Sequence, residues 1–339
     1  MPHRRTLLAA SALALPALLA RPARAQAPLR LALDWVLQGN HAMFTIAEER
    51  GLFREQGLAA KIDRGYGSGD TVVKVAAGAY EMGYAEVSAA VKFNAENPNR
   101  RVVCLYPVLD RTAAAITTTR RSGITALKGI EGRTLGAPEG EASRVLFPPF
   151  ARAAGVEAAK VQWSSIAANL RDTMLAQGKV DAVSGFLFTT HFNLLSLGVK
   201  EEDILSWTYA ENGLDVYGSG LIARADWLEQ NPQQAMGAVR AAIGGLKLLL
   251  AEPDAAMESV RKREPLFDVA LEKRRWAMTR DRSILTPTVR EHGTGHLDMD
   301  RAALLMRANA EAYGLSTVPP AESLFTGRFL PPAAERRLV

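Results

Sequence analysis

Apolar residues return along this chain in two rhythms. Short apolar runs of strand length stand at Arg30–Leu33, Ala59–Ile62, Met82–Tyr84, Val102–Tyr106 and Ala114–Thr118. Others follow at Thr134–Ala137, Val161–Ser164, Ala182–Gly185, Ile204–Trp207 and Gly220–Ala223. Between them apolar positions recur every three or four residues. That spacing predicts helices over Met43–Arg50, Asp70–Ala77, Ala142–Ala154, Ala167–Gln177 and Leu187–Leu197. After Asp226 the strand rhythm stops. Helices are predicted over Ala225–Gln230, Pro232–Leu250, Asp254–Arg263, Asp268–Thr279 and Asp300–Tyr313, and then Pro319, Pro320, Pro331 and Pro332 mark an irregular tail. Alternating strands and helices predict an α/β fold with largely parallel sheets.

The first 25 residues read as an export signal. Arg4-Arg5 precede the apolar stretch Leu7–Ala20, and Ala23-Arg24-Ala25 fits a small-x-small cleavage site. Paired arginines before Thr6-Leu7-Leu8 also suit the twin-arginine route, and both export routes stay open. No later segment reads as a membrane span, since Gly244, Gly245 and Lys247 interrupt the longest apolar run, Ala241–Ala251. The leader changes the charge picture. The whole chain carries a formal +5, but without Arg4, Arg5, Arg21 and Arg24 it holds 37 basic against 36 acidic residues. No nucleic-acid partner is expected from that balance. The short clusters Arg261-Lys262-Arg263 and Lys273-Arg274-Arg275, beside Glu264 and Glu272, read as solvated helix faces. One cysteine, Cys104, excludes an intramolecular disulfide and reads as a buried small hydrophobe. About 314 residues after the leader exceed one compact core, so two domains are expected.

A loose internal echo supports two halves. Gly78-x-x-Glu81-x-Gly83 and Gly178-Lys179-Val180-Asp181-Ala182 each join a helix to a short strand. The chain would cross between halves near Asp110–Ala115 and return near Gly213–Gly220, which makes a hinge and a cleft that can close.

Candidate chemistry gathers where strands end, the edge at which open α/β sheets place ligands. After the first strand comes Asp34-Trp35-Val36-Leu37-Gln38-Gly39-Asn40-His41. Trp35 offers a flat face to a ring and His41 a donor or acceptor, or the two are a core indole and a hydrogen-bonded imidazole. In Gly65-Tyr66-Gly67-Ser68-Gly69-Asp70-Thr71, Gly67 and Ser68 let backbone approach a ligand at a helix start, or Ser68 or Asp70 simply caps that helix. The loop matches no nucleotide-binding pattern, and no cofactor is expected. Tyr84, Glu86 and Ser88 alternate at the end of the third strand. In the second half, Ala137-Pro138-Glu139-Gly140-Glu141-Ala142-Ser143 is the equivalent strand-to-helix loop. Glu139 and Glu141 there repel anions and accept N–H groups, or merely favour a helix N-terminus. Phe186 or Phe188 is a candidate second stacking face, and Tyr209, Asp215 and Tyr217 are weaker cleft candidates. His292-Gly-Thr-Gly-His296 suggests a metal pair, but two glycines oppose the helix such a pair needs, so no metal is expected.

The opening strand, Asp34-Trp35, His41, the helix and the Gly51-Leu52-Phe53…Gly57-Leu58 turn resemble the start of the NMT1/THI5-like family of solute-binding proteins. The resemblance continues through Gly78–Gly83, Leu127–Gly136, Gly178–Ala182 and Asp226-Trp227-Leu228 before Asn231-Pro232. It implies a two-lobed type II periplasmic binding-protein fold. One lobe is then 26–114 with 218–339 and the other 115–217. It implies a periplasmic monomer that captures a small molecule, without chemistry, and hands it to an ABC-type permease. Glu139 and Glu141, where sulfonate-binding relatives tend to place small and hydroxyl residues, turn the expectation toward an amino-heterocycle of the thiamine-pyrimidine kind. Sulfonate, taurine or nitrate-type anions remain the other ligand class. Fungal members are enzymes of thiamine-pyrimidine synthesis that use a Lys and a His just after the strand matching Met82–Tyr84. This chain reads Tyr84-Ala85-Glu86-Val87-Ser88-Ala89 there, and no enzyme is expected.

Overall fold

The computed structural model describes residues 26–338; the leader expectation lies outside the described residues. Ten strands form two mixed sheets of five. Their bounds are β1 Ala27–Ala32, β2 Leu58–Asp63, β3 Met82–Glu86, β4 Val102–Pro107 and β5 Ala114–Thr119. The others are β6 Thr134–Ala137, β7 Gln162–Ser165, β8 Ala182–Phe186, β9 Ile204–Thr208 and β10 Ser219–Arg224. The first sheet runs β2-β1-β3-β10-β4 and the second β7-β6-β8-β5-β9. In each, three parallel strands are followed by one antiparallel strand that has crossed over from the other sheet's part of the chain. The two halves thus share one topology. This is the two-lobed periplasmic-binding-protein fold, with two chain crossings between the lobes.

All ten apolar runs are strands, and the central ones are covered on both sheet faces, while the edge strands β2 and β7 stay partly exposed. Every residue of β3, β4 and β5 is buried, which an unbroken apolar run permits and an alternating one does not. Cys104 lies fully buried in β4, where burial pushes its thiol up to about 12.

The helices differ from the expectation at several points. The predicted helix Ala142–Ala154 is two pieces, Ala142–Val145 and Phe147–Ala153, broken at Leu146 because Pro148 and Pro149 fit only a first helical turn. The turn before β2 contains the short helix Leu52–Glu55, and helices Ala89–Glu96 and Pro287–His292 were not predicted. Helix Pro232–Ala251, with 20 residues, is long and apolar enough to cross a bilayer, contrary to the reading from Gly244 and Gly245. Its apolar side is instead core, packed on helix Ala42–Glu49. The C-terminal helices are shared between lobes. Val269–Thr279 packs on Leu187–Ser196 of the second lobe, and Met299–Ala312 packs on both Ala89–Glu96 and Phe147–Ala153.

Gly245 is where helix Pro232–Ala251 meets Ala42–Glu49. A Cβ there would stand 2.0 Å from the Met43 carbonyl oxygen and 2.8 Å from the Ala47 Cβ. A Cβ on Gly244 would meet only the tip of Leu52, at 2.8 Å. Gly245→Ala therefore forces two backbones apart and costs about 1–3 kcal/mol. Gly244→Ala gains up to ~1 kcal/mol of helix propensity against a side chain that can move. Urea unfolding of both variants checks the contrast; equal effects would show that the helix contact is not the close one described.

Candidate functional site

A cavity of about 480 Å³ lies between the lobes. Its lining comes from the carboxyl ends of the first three parallel strands of each sheet. Asp34 and Trp35 follow β1, Tyr66 to Asp70 follow β2, and Ala89 follows β3. From the other lobe, Pro138 and Gly140 to Ala142 follow β6, Ala168 and Arg171 follow β7, and Phe186, Phe188, Thr189 and Asn193 stand at the end of β8 and after it. Gln38, Asn40 and His41 complete the first wall. The shared topology brings both sets of loops to one space, where ligands sit in open α/β sheets.

The first wall is ordered by buried hydrogen bonds. The Gln38 N–H donates to His41 Nδ1 at 3.1 Å, and His41 Nε2 lies 3.0 Å from Asp34 Oδ1. The first bond assigns Nδ1 as acceptor and leaves Nε2–H to donate to Asp34. Gly67 has φ 127°, open to glycine alone, and its N–H donates to the Asp34 carbonyl at 2.7 Å. That fold of the loop begins the next helix at Ser68 without a side-chain cap, so neither Ser68 nor Asp70 caps it. Ser68 Oγ instead accepts the Glu86 N–H at 3.0 Å. Beneath the wall, Ser219 Oγ lies 3.5 Å from Asp34 Oδ2 and 3.3 Å from Glu86 Oε2, and Thr112 Oγ donates to Glu86 Oε1 at 3.0 Å. Thr112 and Ser219 stand at the two crossings, so Glu86 joins the cavity floor to the hinge. Burial, helped by the charge of Asp34, pushes the Glu86 carboxyl up to about 8 against the pull of Thr112 and Ser219.

The second wall is built on Arg171, which is 4% exposed. Its Nη1 donates to Glu141 Oε1 at 2.6 Å, its Nε to Asp172 Oδ1 at 2.9 Å and its Nη2 to Thr190 Oγ at 2.9 Å. Burial opposes the guanidinium charge, but Glu141 and Asp172 outweigh it and hold Arg171 above the usual arginine value. Phe186 and Phe188 pack at 5.9 Å between ring centres on the same wall. Two of the ties between the lobes lie beside the cavity. Thr189 Oγ donates to Gln38 Oε1 at 3.1 Å. Glu272 accepts the Gly39 N–H at 2.7 Å and pairs with Arg275, whose Nη1 donates to the Phe188 carbonyl at 2.7 Å. Glu272 and Arg275 are 7% and 3% exposed, so these two are not part of the solvated helix face their charges suggested, whereas Lys273 and Arg274 beside them do reach solvent.

Of the sequence candidates, Trp35, His41, Gly67, Ser68, Glu141 and Phe186 line the cavity. Tyr84 and Glu86 do not; they are buried behind it, Tyr84 edge-on to His41 at 5.8 Å. Alternation placed them correctly at a strand end but could not say which side of that strand is cavity and which is core. Glu139 is exposed and points to Ser165, which donates to it at 2.8 Å, outside the cavity. Tyr209 and Tyr217 are fully buried away from it, and Asp215 pairs at the hinge with Arg111 and Arg301. Sequence reading missed Asp34, Asn40 and Arg171. Asp34 stood in plain view beside Trp35, whereas Arg171 sits in an ordinary helix and only burial singles it out. His292 and His296 stack at 4.4 Å, and among the described residues no third metal-ligating group joins them.

A model of the NMT1/THI5-like family matches residues 38–256. The chain belongs to that family. No curated protein matches its sequence. Among solved structures it is similar to the periplasmic aliphatic sulphonate-binding protein SsuA from Escherichia coli, at 15% identity over 90% of this chain and 99% of that one, with a TM-score of 0.68. The alkanesulfonate-binding protein SsuA from Xanthomonas axonopodis pv. citri, bound to MOPS, matches at 11% identity over 88% and 99%, TM-score 0.67. The periplasmic nitrate-binding protein NrtA from Synechocystis PCC 6803 matches at 13% identity over 91% and 89%, TM-score 0.63. At such identities the likeness is one of fold.

Glu86 predicts a pH dependence. In the folded protein its carboxyl keeps a proton up to about pH 8; in the unfolded chain it releases it near 4.5. Between those values the folded state binds more protons, so stability falls as pH rises. The contribution is fully present below pH 4.5 and gone above pH 8, on the order of 5 kcal/mol in all. Glu86→Gln removes that slope. Urea unfolding of wild type and variant at pH 5, 6.5 and 8 should give lines that diverge with pH; parallel lines would mean that Glu86 is ionised throughout.

Proposed function

We propose that this chain is the solute-binding component of an ABC import system, acting in the periplasm and changing nothing in its solute. Family membership and a fold shared with periplasmic binding proteins support the class. The observation that carries the ligand reading is the pair of aromatic walls. Trp35 lies on one lobe and Phe186 with Phe188 on the other, around a cavity of about 480 Å³. Ring faces on both sides suit a flat organic ring, and the carboxylates and amides around them suit its nitrogen substituents. The solute is an aminopyrimidine of the thiamine-precursor kind or a similar aromatic heterocycle. Because it touches both lobes, its binding favours the closed arrangement, which an ABC permease then engages. The titles of the solved neighbours support a second reading, a sulfonate or nitrate-type anion. The stretch after β3 lacks the Lys and His of the enzymatic members, which supports binding without catalysis.

Thermal unfolding with a panel of solutes separates the readings, because a ligand of the folded state raises the midpoint. A rise with 4-amino-2-methylpyrimidine and none with taurine or nitrate is expected; the reverse would sink the heterocycle reading. Trp35→Ala should weaken the aminopyrimidine by roughly 1–3 kcal/mol by calorimetry. Unchanged affinity would remove Trp35 from the site.

A further inference from the structure

We infer that the cavity selects a monocation bearing N–H donors, shared between one carboxylate of each lobe, Asp34 and Glu141. This rests on the solute-binding reading above and adds the charge of the solute to it.

Charge around the cavity does not balance. Among the described residues Arg171 is the one Lys or Arg side chain on its lining, and two carboxylates already hold it, Glu141 at 2.6 Å and Asp172 at 2.9 Å. Two negative charges against one leave the second wall with a net negative charge. On the first wall Asp70 is balanced by Lys74 at 2.6 Å. Asp34 is not balanced in this way, since its imidazole neighbour spends Nδ1 as an acceptor and offers Asp34 a single N–H. Each lobe thus brings a surplus of carboxylate over cation to the same space.

The unused hydrogen-bonding groups point the same way. Glu141 Oε2 and Asn40 Oδ1 are buried without any partner, and both belong to cavity-lining residues; Asn40 is 4% exposed. Both are acceptors. A buried acceptor left unmet is costly, and a ligand that donates relieves it, whereas one that brings only acceptors does not. A sulfonate, nitrate or carboxylate brings acceptors and a like charge. An amidinium, ammonium or protonated amino-heterocycle brings donors and the opposite one, and Trp35 and the two phenylalanines offer it aromatic faces. The same imbalance drives closure. Without solute the two walls repel as they approach; a cation between them turns that repulsion into attraction, so charge selection and closure are one event.

Three flat probes of nearly one shape isolate charge: benzamidine, benzamide and benzoate, titrated into the mature protein at pH 7 and low salt. Benzamidine is expected to bind at least tenfold tighter than benzamide, with benzoate undetectable. Glu141→Gln should reduce the benzamidine-to-benzamide ratio about tenfold. If that variant does not fold, Asp34→Asn reads the same ratio from the other wall. Benzoate binding as tightly as benzamidine, or a ratio unchanged in the folded variant, overturns the inference while leaving a ring-binding protein. Binding of none of the three overturns the ring-clamp reading with it.

Discussion

Strands β5 and β10 each leave one lobe and run antiparallel into the middle of the other lobe's sheet. Neither sheet is complete without the strand that has crossed into it. The exchange makes the two crossings part of the folded core rather than free linkers. It also sets the carboxyl ends of the remaining strands opposite one another, since those strands run antiparallel to the inserted one and so in one common direction. The cavity and its chemistry follow from that constraint.

A crossing inside a protein carries polar backbone and side chains into a place with little water, and these are met by other buried groups. At the first crossing Asp110 accepts from Arg301 at 2.9 Å, and the same arginine reaches Asp215 at the second at 3.1 Å. Thr112 and Ser219 meet on Glu86. One helix of the C-terminal region therefore ties both crossings together, and one carboxyl ties them to the cavity floor. Helix Val269–Thr279 adds a third link through Glu272 and Arg275. Opening the lobes has to break buried charged hydrogen bonds, so the equilibrium between open and closed forms depends on groups far from any solute.

The walls differ in kind. The first is a backbone wall, shaped by Gly67 and by the Asp34–His41–Gln38 turn. The second is an ionic wall, where Arg171 holds the loop after β6 and the helix after β8 to its own helix through Glu141 and Thr190. Arg171 therefore serves architecture. Its donors go to the protein's own carboxylates, and the charge left over is negative. A fold shared with sulfonate- and nitrate-binding proteins is compatible with the opposite ligand charge because the fold places the loops and the side chains on them decide what they attract.

The central strands were legible along the chain because strands buried on both faces need continuous apolar runs, a local property. The two-half organisation, the crossings and the loops at strand ends were legible from the order of those runs, with family resemblance to support it. Which of two neighbouring acids meets the cavity was not. Glu139 and Glu141 stand two residues apart with the same chemistry, and only the path of the loop after β6 turns one outward and the other onto Arg171. Glu272 and Arg275 look like solvated charges until a helix distant in sequence covers them. Burial of a charge depends on what packs over it, and that is decided by contacts between residues far apart in the chain; local pattern holds no record of them.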